Sequence, residues 1–138
     1  MIHRSIGAVS HGILDYALAI LLLAGPSVIG FAGKQATWSY IFGGALLVMA
    51  ILTRYPFGIV KIVGLGIHGF VEILLAICLI AAPWYGNFAR GVLSRNFYVM
   101  LGVLMLVLWF LTDFRGVRDR VPAARSDDPE TGSKPAAR

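Results

Sequence analysis

Four long apolar blocks dominate the pattern of hydrophobic and polar positions along this chain. They lie at about 6–24, 38–53, 57–82 and 97–112, and each is close to the roughly 20 residues that cross a bilayer as a helix. The blocks are continuous and do not alternate apolar with polar residues, as the strands of a membrane barrel do. The pattern therefore predicts an all-α polytopic membrane protein with four transmembrane helices.

Composition supports this class and excludes several others. Of the 138 residues, 58% are hydrophobic and 14% are charged, whereas a typical soluble domain has about 25% charged residues. Asp15 interrupts the first block, which argues against a cleaved signal peptide. Cys78 is the single cysteine, so no internal disulfide forms. The segment "GLGIHG" at 64–69 resembles a dinucleotide-binding motif, but its apolar flanks lack the strand-to-helix turn that such a site needs.

Positive charge is distributed unevenly between the two ends of the predicted helices. Nine of the twelve Lys and Arg side chains fall in the N-terminus, the connection between the second and third helices, and the tail. By the positive-inside rule, both termini are expected in the cytoplasm of a bacterium and the protein in its inner membrane. The tail, 114–138, has mixed charge and no apolar period and is expected to be disordered. Anionic lipid explains the net charge of +5 without a nucleic-acid partner.

The chain contains an internal repeat with an offset of 57 residues. "RSIGAVSHGILDYALAILLLAGP" at 4–26 aligns without gaps on "KIVGLGIHGFVEILLAICLIAAP" at 61–83, with 9 of 23 positions identical. With a shift of one further residue, Tyr40 falls on Tyr98. We predict two helical-hairpin repeats, at about 4–58 and 61–116, in one transmembrane domain, 1–113. Hairpins that enter the membrane from the same side form a four-helix bundle with a pseudo-twofold axis along the membrane normal.

Each repeat carries a histidine and a carboxylate one helical turn apart. His11 and Asp15 in the first repeat match His68 and Glu72 in the second. A charged group at the centre of a bilayer costs at least about 2.5–3.5 kcal/mol, so these side chains are expected to face the bundle interior and find partners. By symmetry we expect all four to converge near the pseudo-twofold axis, with the carboxylates near the middle of their crossings.

Four interpretations of this set are open from the sequence. In the first, which we adopt as the prediction, the four residues stabilise the bundle of a non-enzymatic scaffold or accessory subunit. In the second, they bind a metal ion through His11, Asp15, His68 and Glu72. In the third, the first and third helices sandwich a b-type haem, and the residues involved are His11, His68, Gly7, Gly64, Arg4 and Lys61. In the fourth, the titratable groups form a proton or small-solute pathway.

The expected partners follow from the membrane prediction. They are the lipid bilayer and either another membrane protein or a second copy of this chain, and the sequence identifies neither the partner nor the oligomeric state. Hydrolytic chemistry is not expected, because no serine or cysteine has both a neighbouring histidine and a supporting acid.

Two further segments carry a family resemblance. "AGPSVIGF" at 24–31 and "AAPWYGNF" at 81–88 place a proline and nearby aromatic or glycine residues after the first helix of each hairpin. In this arrangement the chain resembles the SPW-repeat family of small bacterial membrane proteins. Pro83 and Trp84 match the Pro-Trp pair of the motif that gives the family its name. The resemblance implies a membrane fold and no particular activity. Pro26 and Pro83 are expected to end the helices before them.

Overall fold

Four membrane-length helices make up the structure, a computed structural model that describes residues 6–54 and 56–112. The helices are α1 (Ala8–Gly25), α2 (Lys34–Leu52), α3 (Leu65–Tyr85) and α4 (Val92–Leu111). All four are long and apolar enough to cross a bilayer, and the described residues contain no strand beyond two isolated bridges. The predicted all-α membrane bundle is confirmed.

Helices α1 and α3 begin at equivalent positions of the repeat. Gly7 and Gly64 are their N-caps, and both have an extended backbone that starts the helix at the next residue. The backbone N–H of His11 then donates to the Gly7 carbonyl, and that of His68 to the Gly64 carbonyl, each at 3.0 Å. The histidine therefore lies on the first turn of each helix and the carboxylate on the second.

Helix α3 begins at Leu65, so the predicted start near residue 57 is wrong. Residues 57–64 are apolar enough to look helical, but their backbone bonds to the C-terminal end of α2. The N–H groups of Ile62 and Val63 donate to the Leu52 carbonyl at 2.9 and 2.8 Å, and Arg54 N–H donates to the Val63 carbonyl at 2.8 Å. Helices α2 and α4 begin earlier than predicted, because their first turns include polar residues that the apolar pattern left out.

The two repeat prolines act differently from each other, and only Pro26 ends its α-helix as predicted. Helix α1 does end before Pro26, but the chain continues as a π-helical turn, Pro26–Gly30. Pro83 lies inside α3, which continues to Tyr85, so the prediction that it ends the helix is wrong. A proline in the last turn removes only one backbone donor, and α3 then closes with the Gly86 N–H donating to the Ala82 carbonyl at 2.7 Å.

The helices pack as two hairpins, since α1 contacts mainly α2 and α3 contacts mainly α4. Glycine permits the close approach within each pair. A Cβ added at Gly43 would lie 2.9 Å from Leu23 Cγ, and one added at Gly102 would lie 2.5 Å from Ile80 Cγ1. At the end away from Gly7 and Gly64, Tyr98 of α4 joins the other hairpin by donating to the Gln35 carbonyl at 2.5 Å.

Burial sets the alignment of α2 with α4, and it differs from the sequence alignment. Phe42 and Leu46 are buried in α2 as Leu101 and Met105 are in α4, an offset of 59. The offset of 58 in the sequence alignment paired Tyr40, which is 45% exposed, with the fully buried Tyr98. Two isolated bridges, Thr53 with Val63 and Thr112 with Ile6, repeat this relation. The two threonines are 59 residues apart, as in the alignment of α2 with α4, and their partners are 57 residues apart, as in the alignment of α1 with α3. The pseudo-twofold relation therefore extends to the ends of the helices.

Candidate polar site in the bundle

The structure brings the two histidines and two carboxylates together, as the repeat predicted. We call His11, Asp15, His68 and Glu72 the His/carboxylate cluster. Each of these residues is at most 1% exposed. Both members of each His–acid pair lie on one helix, at positions i and i+4, so they share the face that meets the opposite hairpin.

Contacts between the hairpins are the shortest in the cluster. His11 Nε2 lies 3.1 Å from Glu72 Oε2, and His68 Nε2 lies 3.0 Å from Asp15 Oδ2. Within one helix the corresponding distances are longer, 3.5 Å for His11 to Asp15 and 3.9 Å for His68 to Glu72. The two imidazole rings meet edge to face, with centroids 5.6 Å apart. Each imidazole therefore contacts both carboxylates, and the four groups form one ring in which imidazoles alternate with carboxylates.

Two threonines, which sequence reasoning did not select, complete the site. Thr53 Oγ1 lies 2.7 Å from His68 Nδ1, and Thr112 Oγ1 lies 2.8 Å from His11 Nδ1. Each threonine hydroxyl also donates to the carbonyl four residues earlier, that of Met49 at 2.5 Å or that of Leu108 at 2.7 Å. A hydroxyl has one hydrogen to donate, so towards the imidazole it accepts. This assigns a hydrogen to Nδ1 of each histidine and directs Nε2 at the carboxylates.

The sequence did contain a signal for these threonines. "TRYPFG" follows α2 and "TDFRG" follows α4, so both second helices end at a threonine in the same position. The alignment shows the likeness of these segments, but it does not indicate that each threonine bonds to a histidine of the other hairpin. That pairing depends on how the bundle closes, because Thr112 and His11 are 101 residues apart.

The cluster lies on the N-terminal halves of α1 and α3. Asp15 is the eighth residue of the span Ala8–Gly30, and Glu72 is the eighth residue of α3. At 1.5 Å per residue the carboxylates are about 10 Å from the start of their helices. The threonines directly follow the C-terminal ends of α2 and α4. The carboxylates therefore lie on the N-terminal side of the middle of their helices, and their depth in a bilayer stays a prediction.

Three further residues selected from the sequence lie within the described part of the chain, and they do not join this contact ring. Gly7 and Gly64 serve as N-caps, and a Cβ added to either would meet nothing within 4 Å among the described residues. Lys61 is exposed in the connection between α2 and α3, with a φ of 51°, and its carbonyl accepts from Arg54 Nε at 2.9 Å. Arg4 and the tail, 114–138, lie outside the described residues.

Removing the threonine hydroxyls tests whether they hold the histidines. Thr53→Val and Thr112→Val each remove the acceptor of a buried ring N–H, and we expect each to lower the free energy of unfolding by about 1–3 kcal/mol. The matched control is Thr37→Val, because that hydroxyl is exposed and bonds only to the Gly33 carbonyl. Denaturation by SDS in mixed micelles, followed by circular dichroism, measures the three values. Equal effects at all three threonines would contradict the assignment.

Comparison with known families gives one result. The model of a family described as SPW repeat domain matches residues 9–116, which include the four helices except the first residue of α1, and the whole His/carboxylate cluster. Neither the curated proteins nor the solved structures include a significant match.

Proposed function

The chain belongs to the SPW repeat domain family, and from this membership and its buried cluster we propose that it is a small non-enzymatic scaffold or accessory subunit of a membrane complex. In this proposal the His/carboxylate cluster holds the two hairpins together. The protein is integral to the membrane, as its four apolar helices indicate. The positive-inside rule supports placing both termini in the cytoplasm and the bundle in the bacterial inner membrane.

The observation that carries the proposal is that the shortest polar contacts of the cluster cross between the hairpins. The two shortest ion-pair contacts join α1 to α3. The threonine contacts join α2 to α3 and α4 to α1. Helices in a bilayer gain no hydrophobic stabilisation from associating with each other, so close packing and polar contacts determine which helices associate. The cluster therefore supplies an association energy that apolar surfaces alone lack in lipid.

The surroundings of the cluster support a structural role over a catalytic one. All four residues are buried, so a substrate has no direct access to them. A gap within the bundle lies among apolar side chains and is too narrow to hold a water molecule. Its lining residues are Leu22, Phe42, Leu46, Leu75, Leu79 and Met105.

The outer face of α2 supports the accessory role. Tyr40, Ile41 and Val48 are about half exposed there, and Gly44 has open space where a Cβ would be. A glycine on an outward face allows another transmembrane helix to approach closely. We place the contact with a partner protein, or with a second copy of the chain, on this face.

A double-mutant cycle across the hairpins tests whether the cluster holds them together. We compare the free energies of unfolding of the wild type, His11→Leu, Glu72→Leu and the double variant, by SDS denaturation in mixed micelles. Because the two side chains contact each other, we expect a coupling energy of about 1 kcal/mol or more. The control cycle pairs His11→Leu with Ser39→Ala, which removes a hydroxyl that bonds to the Leu22 carbonyl within the first hairpin. Additive effects in both cycles would overturn the proposal.

A further inference from the structure

We propose that the His/carboxylate cluster is a binding site for one divalent first-row transition-metal ion, which goes beyond a purely structural contact between hairpins. The ligands are Nε2 of His11 and of His68 and one carboxylate oxygen each from Asp15 and Glu72. One ligand atom from each of the four residues lies within 4.8 Å of the other three. The set has two nitrogen and two oxygen donors, contributed equally by α1 and α3.

The spacing of these atoms fits a four-coordinate ion. Metal–ligand bonds of about 2.0–2.1 Å in a tetrahedral site place neighbouring ligand atoms about 3.3 Å apart. The nitrogen-to-oxygen distances are 3.0 Å to Asp15 Oδ2, 3.5 Å to Asp15 Oδ1, and 3.1 and 3.9 Å to Glu72 Oε2, on both sides of that value. The ligand atoms lie within 4.8 Å of one another, so the wider pairs would have to move closer together to complete the coordination.

The threonines orient the histidines as metal ligands require. A histidine that binds a metal through one ring nitrogen donates its other N–H to an acceptor, and this fixes the tautomer and the ring orientation. Thr53 and Thr112 accept that hydrogen from Nδ1, because their own hydrogens go to backbone carbonyls. Nε2 of each ring then faces the carboxylates, in the position of a ligand atom.

Charge balance also favours a cation at this point. The carboxylate oxygens of Asp15 and Glu72 are buried, and their shortest contacts are with Nε2 of His68 and His11, at 3.0 and 3.1 Å. Buried charges are normally paired with opposite charges or coordinate a metal. One divalent ion neutralises both carboxylates and contacts both Nε2 atoms at once. The same carboxylates occupy the space between the two imidazoles, so the geometry favours an ion over a haem.

The donor set indicates the class of metal. Imidazole nitrogens together with carboxylate oxygens suit zinc, iron(II) and manganese(II), and no thiolate is present to favour copper(I). Magnesium and calcium prefer all-oxygen surroundings, and magnesium retains several waters. The buried ring of two nitrogens and two oxygens therefore selects transition metals over magnesium.

Zinc binding to the full chain tests the proposal. The chain in detergent micelles is treated with a chelator, dialysed against Zn²⁺ and analysed for bound metal. We expect one zinc per chain, no stoichiometric binding of Mg²⁺, and loss of the bound zinc in His11→Gln and His68→Gln. The matched control is His3→Gln, which changes the one histidine outside the cluster and is expected to leave binding unchanged.

Thr53→Val makes the test independent of whether the histidine variants fold. It keeps every ligand and removes only the hydrogen-bond acceptor of His68, so we expect zinc affinity to fall about 10- to 100-fold. A folded wild type that takes up no zinc would overturn the proposal. Equal zinc uptake by the wild type and His68→Gln would also overturn it. Either result would leave the structural role of the cluster intact, because unfolding energies judge that role separately.

Discussion

Replacing Asp15 with leucine is expected to lower the free energy of unfolding by about 3–5 kcal/mol, the cost of breaking a buried ion pair from one side. Asp15 contacts His68 at 3.0 Å and His11 at 3.5 Å, and all three side chains are almost fully buried. Without it, the two histidines share one carboxylate in a region that water does not reach. Denaturation by SDS in mixed micelles, followed by circular dichroism, measures the loss.

A fully apolar replacement is the informative control for this variant. Exchanging all four cluster residues for leucine or methionine removes the charges together, and such replacements are often neutral or stabilising in buried sites. We therefore expect the fourfold variant to unfold at a higher SDS concentration than Asp15→Leu. If the single variant lost no more than Ser39→Ala, the cluster would not act as a buried, mutually dependent set of charges.

Enlarging Gly102 is expected to separate α3 from α4, with a loss of about 3 kcal/mol for Gly102→Leu, at the upper end of overpacking effects. A Cβ at this position would lie 2.5 Å from Ile80 Cγ1 and 2.9 Å from the Ala76 carbonyl oxygen. A backbone oxygen in a helix cannot move aside as a side chain can, so the helices must shift. The same SDS denaturation reports the change.

Gly44→Leu serves as the matched control for Gly102→Leu. Both glycines lie within the second helix of a hairpin, but a Cβ at Gly44 would meet nothing within 4 Å among the described residues. In the monomeric chain, where the partner contact proposed for this face is not made, we expect the free energy of unfolding of Gly44→Leu to stay the same or to rise slightly, because leucine favours a helix over glycine. Equal losses in the two variants would contradict the close approach of α4 to α3.

The sequence predicted the number of helices and the identity of the cluster because both depend on patterns that the repeat doubles. One histidine and one acid inside an apolar block are ambiguous, but finding the pair twice at an offset of 57 residues indicates a common location. The start of α3 was mispredicted because "FGIVKIV" is as apolar as a helix. Only the backbone bonds from Ile62 and Val63 to the end of α2 distinguish it.

The role of the threonines and the alignment of α2 with α4 could not be predicted from the sequence, for a different reason. A threonine after a helix is common, and the contact between Thr112 and His11 exists only once the first and last helices have met. The alignment of α2 with α4 depends on which faces of these helices are buried. The buried pair Phe42 and Leu101 gives this alignment, although the two residues are not identical. The distances that favour a metal ion depend in turn on that closure.

Each hairpin holds half of the polar site, since it supplies one imidazole, one carboxylate and one threonine hydroxyl. A hairpin alone would lose the acceptor of its histidine Nδ1–H and the shortest contact of its carboxylate. The geometry that supplies both is that of an isologous dimer. The chain is in this sense a single-chain dimer. The connection between α2 and α3 makes the association of the two hairpins intramolecular, so each hairpin meets the other at a high effective concentration. It also allows the two halves to differ, and the aspartate in one and the glutamate in the other make the two sides of the site chemically distinct.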